Sequence, residues 1–153
     1  MKQFRFTLQA LLIVLEQREQ MALAAYARAL ADQRNALEQW RNAQSLCEEG
    51  FRLGRDRAAS GAPAVHLAQI QEYCRSMKEY EQLRLGEVLR AEQAVAGALA
   101  RLLGARQSRE AVQRVRRTQQ KRYDYASRRE EQKVLDDLAQ RAGVGIRSGE
   151  FMG

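Results

Sequence analysis

A run of basic side chains in residues 101–129 is the part of the sequence best suited to chemistry, because it can bind anions. Ten of these residues are Arg or Lys and only two, Glu110 and Asp124, are acidic, so the segment carries a formal charge of +8. The whole chain carries +7, which leaves the remainder close to neutral. Most charge runs are simply solvated helix faces. Here, however, acidic residues four positions away are nearly missing, and the uncompensated repulsion favours an anionic partner.

Side chains suited to catalysis or metal binding are few. His66 is the only histidine, and Cys47 and Cys74 are the only cysteines, with no metal-binding or nucleophile motif around them. His66 lies beside a predicted turn, where a capping or surface role is favoured over catalysis. We therefore expect no enzyme activity, no cofactor or metal, and no small-molecule substrate. Two cysteines are too few for a secreted disulfide scaffold, which favours a reducing cytoplasm.

The elements that must position the basic run are two long helices. Strong helix formers dominate the sequence, and only 7% of residues are aromatic. The pattern is interrupted at residues 58–64, where Gly61 suits a helix end and Pro63, the only proline, suits a helix start. A connection this short favours antiparallel packing. We predict an all-α, antiparallel coiled-coil hairpin forming one domain over residues 1–153, with helices over about 5–57 and 65–141, a turn at 58–64 and a flexible tail at 142–153.

The predicted register pairs residues whose numbers add up to about 122. This register brings the alanine-rich residues 22–31 opposite the alanine-rich residues 91–100, as expected where two helices approach closely. It also places Cys47 opposite Cys74. The first helix runs out of partners near residue 118, so we expect the C-terminal helix to overhang the N-terminus.

Large apolar and aromatic residues collect on both helices near the turn. Two helices without a third layer cannot cover all of Trp40, Tyr73 and Tyr80, so this strip predicts a partner site. By contrast, the apolar run at residues 8–15 is interrupted by Gln9 and followed at once by Glu16. We expect neither a signal peptide there nor a membrane span elsewhere.

Three features together resemble the FliJ family of coiled-coil proteins of the flagellar type III export apparatus. They are the opening FRFTLQALL at residues 4–12, the helical hairpin with its short turn, and an Arg-rich C-terminal helix passing into REEQKVLDDLA at residues 129–139. The resemblance implies a non-enzymatic stalk and escort protein that promotes substrate export and recycles export chaperones. It further implies a cytoplasmic protein held peripherally at the inner membrane.

The resemblance also implies which residues contact which partner. A hexameric, FliI-like export ATPase would bind the end that bears the termini, and an FlhA-like membrane export gate would bind the half near the turn. The ATPase-binding residues, here called the terminal group, are Arg109, Arg116, Arg117, Arg128, Arg129, Gln132, Lys133, Leu135 and Asp136. The gate-binding residues, here called the turn-proximal strip, are Gln33, Leu37, Trp40, Gln44, Tyr73, Met77 and Tyr80. An aromatic residue is common in the family where this chain has Gln44.

Two other functions fit the same residues. A nucleic-acid-binding coiled coil would use the positive charge, although Tyr123 and Tyr125 are the only aromatic residues available nearby for base stacking, which disfavours a nucleic-acid partner. A purely structural coiled coil would associate with itself through its exposed seam. The sequence leaves open whether the export system is flagellar or belongs to an injectisome.

Overall fold

A computed structural model describes residues 2–150 of the 153-residue chain, with side chains described as far as residue 145. It contains two α-helices, α1 (Gln9–Ala59) and α2 (Ala64–Glu150), and no strand within residues 2–150. The two helices pack against each other as a hairpin. The predicted all-α hairpin is confirmed.

The connection between the helices is held by a Schellman motif at the C-terminus of α1. The Gly61 amide donates to the Ala58 carbonyl (3.3 Å) and the Ala62 amide to the Arg57 carbonyl (3.1 Å). Gly61 has φ of 74°, a left-handed conformation that glycine adopts without steric cost. The Pro63 carbonyl then accepts the first helical hydrogen bond of α2, from Leu67 (3.2 Å). The turn therefore uses Gly61 to end α1 and Pro63 to start α2, as predicted.

Contacts divide the chain into two units, which we describe separately. The terminal unit comprises Met1–Glu16 and Gln107–Gly153, and the central unit comprises Gln17–Arg106.

Facing residues in the central unit lie close to the predicted register. Arg84 on α2 donates a hydrogen bond to Gln39 on α1 (2.8 Å), and both alanine-rich segments line one shallow groove. The buried apolar side chains of this unit lie along the facing sides of the two helices. They are Ala43, Cys47, Cys74, Val88, Ala98 and Leu102.

Two glycines allow a close approach of α1 to α2 near the turn. A Cβ on Gly50 would lie 3.3 Å from both the Cys74 sulfur and the Tyr73 ring, and one on Gly54 would lie 3.2 Å from Ile70. Both distances are shorter than ordinary van der Waals contact. The missing side chains therefore let the helices pack tightly at this level.

Cys47 and Cys74 are both free and buried, as expected of residues that face each other across the hairpin. Burial raises the pKa of the Cys47 thiol, and the negative charge of Glu81 raises it further, while the positive charge of Lys78 partly offsets both. Since the thiolate is the species that oxidises, a raised pKa keeps the thiol unreactive at neutral pH.

We expect mild oxidation to join Cys47 to Cys74 within one chain, and the rate to rise about tenfold per pH unit as the solution approaches the thiol pKa. Alkylation of free thiols followed by mass spectrometry measures the product, with Cys74→Ser as the control that cannot form it. A disulfide requires Cα atoms within about 7 Å of each other. Two thiols that stay free at alkaline pH, or a bond only between chains, would contradict the register.

The terminal unit is anchored by an N-terminal segment that is not helical. Phe6 and Leu15 are buried, and the Phe4 ring packs on Tyr123 of α2 with 5.5 Å between ring centroids. The Tyr123 hydroxyl also donates a hydrogen bond to the Lys2 carbonyl. The predicted helix start near residue 5 is therefore wrong, since α1 begins at Gln9. In a helix, Phe4 and Phe6 would point in nearly opposite directions, whereas an extended segment can turn both toward the same neighbour.

The prediction that helix 2 ends near residue 141 is also wrong, because α2 continues to Glu150. Gly143, Gly145 and Gly149 each lower helix stability by about 1 kcal/mol relative to alanine, but they do not forbid helical geometry. Extending an existing helix avoids the unfavourable nucleation step. The remainder of the predicted tail, residues 151–153, lies outside the described residues. Every side chain from residue 128 to 145 is exposed, as expected of an overhanging helix.

Candidate functional site

The terminal group lies entirely on α2, within the terminal unit. Its first member, Arg109, is half-buried and donates a hydrogen bond to Gln113 (2.6 Å). All the other members are exposed. Arg109 therefore has a packing role that the other members of the terminal group do not share.

The two carboxylates of the basic segment are already engaged within α2. Glu110 lies 3.9 Å from Arg109 and 4.0 Å from Arg114, and Asp124 accepts a hydrogen bond from Gln120 (3.0 Å). Two carboxylates can offset only a small part of the charge of ten basic residues. Most of the positive charge of the segment is consequently available to a partner.

Arg116, Arg117 and Lys121 line a surface depression of about 410 Å³. In the described part of the chain, no carboxylate lies within ion-pair distance of any of the three. Because these exposed cations are unpaired, binding an anionic surface breaks no intramolecular ion pair. This depression is the part of the chain best suited to acidic partners.

The last part of the terminal group forms one exposed helical segment. The Arg129 guanidinium lies 5.9 Å from the centre of the Tyr125 ring, and Gln132 donates a hydrogen bond to Asp136 (2.9 Å). Val134, Leu135 and Leu138 expose more than half of their side chains to solvent. Charged and apolar surface therefore alternate along the same segment, which is typical of a helix that binds a protein.

The turn-proximal strip lies in the central unit, with four residues on α1 and three on α2. Gln33, Leu37, Trp40 and Gln44 follow one face of α1. Six of the seven residues are half-buried, and only Tyr73 is exposed, at 45%. The prediction that the aromatics cannot all be covered holds best for Tyr73, while Trp40 and Tyr80 are partly used in packing.

Polar contacts accompany the strip. The Arg84 guanidinium lies 4.9 Å from the centre of the Tyr80 ring and also donates hydrogen bonds to Gln39 and Glu87. The hydrogen bond to Glu87 contributes most to raising the pKa of Arg84, and the guanidinium stays charged at every physiological pH. The Trp40 indole N–H is buried and has no acceptor among the described residues. A buried donor without an acceptor is unusual in a folded protein.

Sequence reasoning missed some functional geometry. The spacing of Phe4 and Phe6, two residues apart, could have indicated an extended anchor. The pair Gly50 and Gly54, four residues apart on one helix face, could have indicated close helix packing. Seam periodicity alone does not show either feature, because Phe4 and Phe6 are two residues apart rather than three or four, and glycines have no side chain to add to the seam.

Within the described residues, no group of three or more His, Cys, Asp and Glu side chains is placed to hold a metal ion. None of the described helices combines the length and the apolar character that crossing a membrane requires.

Comparison with known proteins identifies the family. The family model described as flagellar FliJ protein matches residues 4–145, which is most of the chain. No curated protein and no solved structure matches. The matched region includes the aromatic anchor, the hairpin turn and the exposed end of α2. The chain therefore belongs to the FliJ family of flagellar export-related coiled-coil proteins.

Proposed function

We propose that this protein is a non-enzymatic stalk and escort component of the flagellar export apparatus. It binds the hexameric export ATPase through the terminal group and the membrane export gate through the turn-proximal strip, and it promotes substrate export and chaperone recycling. It would work in the cytoplasm, held peripherally at the inner membrane by these partners. The FliJ family is not known as enzymatic, which agrees with a role in contacts rather than in catalysis.

The observation that carries the proposal is the unpaired positive charge of Arg116, Arg117 and Lys121. Such a surface attracts an acidic partner, speeds encounter and orients the partner before close contact forms. A single rod that contacts six equivalent subunits must meet them unequally. Unequal contacts of this kind would couple binding of the rod to ATP hydrolysis.

The direct test is the rate of ATP hydrolysis by the purified export ATPase with increasing amounts of this protein. We expect stimulation that saturates and that weakens as salt is raised. An unchanged rate together with no measurable binding would refute the ATPase role. In parallel, duplex and single-stranded DNA are titrated at the same salt concentrations. Tight DNA binding with a steep salt dependence would instead support the nucleic-acid alternative.

The gate contact is supported by Tyr73. It presents a partly exposed aromatic ring, the type of side chain that often dominates binding energy. We expect Tyr73→Ala to weaken binding to the cytosolic part of the export gate by about tenfold, with only a small fall in melting temperature from the lost packing of the ring against Gly50. Isothermal titration calorimetry and circular dichroism measure the two quantities.

Tyr125→Ala is the matched control, because Tyr125 is an exposed tyrosine outside the strip. It should leave gate binding unchanged. Equal losses for Tyr73→Ala and Tyr125→Ala, or none for either, would rule out the strip as the gate surface.

A further inference from the structure

An apolar groove lies between α1 and α2 beside the turn, inside the central unit and outside the turn-proximal strip. Phe51 on α1 and Leu67 and Ile70 on α2 contribute its apolar walls, and its volume is about 590 Å³. Phe51 leaves 48% of its surface exposed. Gly54 also lines the groove, where α1 lies close to Ile70 of α2. The groove is thus an unfilled apolar surface in the size range of about 300–1,000 Å³ that is common for ligand sites.

The rim of this groove is positively charged. Arg55, Arg75 and Lys78 line it, and no carboxylate does so within the described chain. Arg75 pairs with Glu72 at 2.8 Å, but both side chains are more than 60% exposed. An exposed pair of this kind contributes little stability and is readily exchanged for another carboxylate. An apolar floor between basic edges is complementary to a helix that has an apolar face with acidic flanks.

We propose that this groove, here called the turn groove, binds an acidic amphipathic helix of a partner protein. Apolar side chains of the helix spaced three and four residues apart would enter between Phe51, Leu67 and Ile70, the mode in which amphipathic helices bind grooves. Its Glu and Asp residues would lie against Arg55 and Lys78. The inference depends on neither the ATPase nor the gate assignment, because the turn groove shares no residue with the terminal group or the strip.

Two other occupants fit the groove less well. A second copy of this chain, docked groove to groove, would be repelled, because Arg55 and Lys78 of one copy would face Arg55 and Lys78 of the other. A lipid surface would require apolar side chains that project outward, whereas the walls of the turn groove enclose a concave space. Both occupants are distinguished by experiment.

The test uses the full-length protein and a fluorescent synthetic peptide. The peptide is a helix of about 18 residues with Leu spaced three and four apart and Glu on both flanks, and a second peptide carries Lys in place of every Glu. Fluorescence anisotropy gives the two dissociation constants at several salt concentrations. We expect the acidic peptide to bind at least about tenfold more tightly than the basic one, with affinity falling as salt rises.

Variants of the protein locate the binding site. We expect Leu67→Asp to weaken binding of the acidic peptide by at least about tenfold. Val65→Asp, at a neighbour near the turn that is 68% exposed, should leave it unchanged. Lys78→Glu is a second variant on an exposed side chain, so it tests the rim without disturbing the fold. It should weaken binding and flatten the salt dependence, whereas Arg41→Glu, on exposed surface elsewhere, should not.

Four results would overturn the proposal. The first is an absence of binding by the acidic peptide up to millimolar concentration. The second is equal affinity for the basic peptide, and the third is a dimer in sedimentation that Leu67→Asp alone abolishes. The fourth is binding to vesicles of anionic lipid that Leu67→Asp abolishes. Loss of ATPase stimulation leaves these outcomes unaffected, so the two proposals fail separately.

Discussion

Reversing Arg116, Arg117, Arg128 and Arg129 to Glu should lower the affinity for the hexameric export ATPase by about 30- to 1,000-fold and remove its stimulation. All four side chains are exposed, and no carboxylate in the described chain pairs with them. Their reversal therefore replaces attraction to an acidic partner by repulsion at four positions, at a cost of roughly 0.5–1 kcal/mol each. The helix itself should keep its melting temperature within a few degrees.

The matched control reverses four exposed arginines on α1 of the central unit, Arg18, Arg34, Arg41 and Arg52. It changes the net charge of the protein by the same amount. Surface plasmon resonance against the immobilised ATPase should show nearly wild-type affinity for this variant. If both quadruple variants lose binding equally, net charge rather than the terminal group determines the interaction, and our assignment is wrong.

Replacing Leu12 by Ala should lower the free energy of unfolding by about 2–5 kcal/mol, the range for deleting a buried leucine side chain. Leu12 has no accessible surface and is one of a few buried apolar residues in the terminal unit, with Phe6 and Leu15. A unit with so small a core has little other apolar burial to compensate for the cavity. Urea denaturation followed by circular dichroism measures the change.

Leu11→Ala is the matched control, because the neighbouring Leu11 is 43% exposed on the same helix. It should cost less than about 1 kcal/mol. Similar losses at the two positions would mean that Leu12 is not packed as described. Because the N-terminal anchor lies in the same unit, Leu12→Ala should also increase hydrogen exchange at Tyr123.

The hairpin could be predicted because its determinants are local. Gly61 and Pro63 specify where one helix ends and the next begins, and few other residues could take their place at the turn. The register followed from the position of the turn, and the alanine-rich segments and the two cysteines agreed with it. The helix ends were harder to predict, since Phe6 is held by burial and α2 continues through Gly143, features that depend on packing and on chain continuity.

The candidate sites also combine features set by local sequence with features set by packing. The unpaired cations near Arg117 were visible in the sequence, because the scarcity of nearby acids limits pairing whatever the fold. The partial burial of Trp40 and the turn groove were not visible, because both depend on how closely α1 approaches α2.

Photo-crosslinking to the assembled export ATPase tests most directly the claim that the terminal group binds it. One variant carries a photoreactive side chain in place of Lys121, beside Arg117, and another carries it in place of Lys78, at the turn groove. We predict an efficient crosslink to the ATPase from position 121 and little or none from position 78. A crosslink mainly from position 78 would contradict the account.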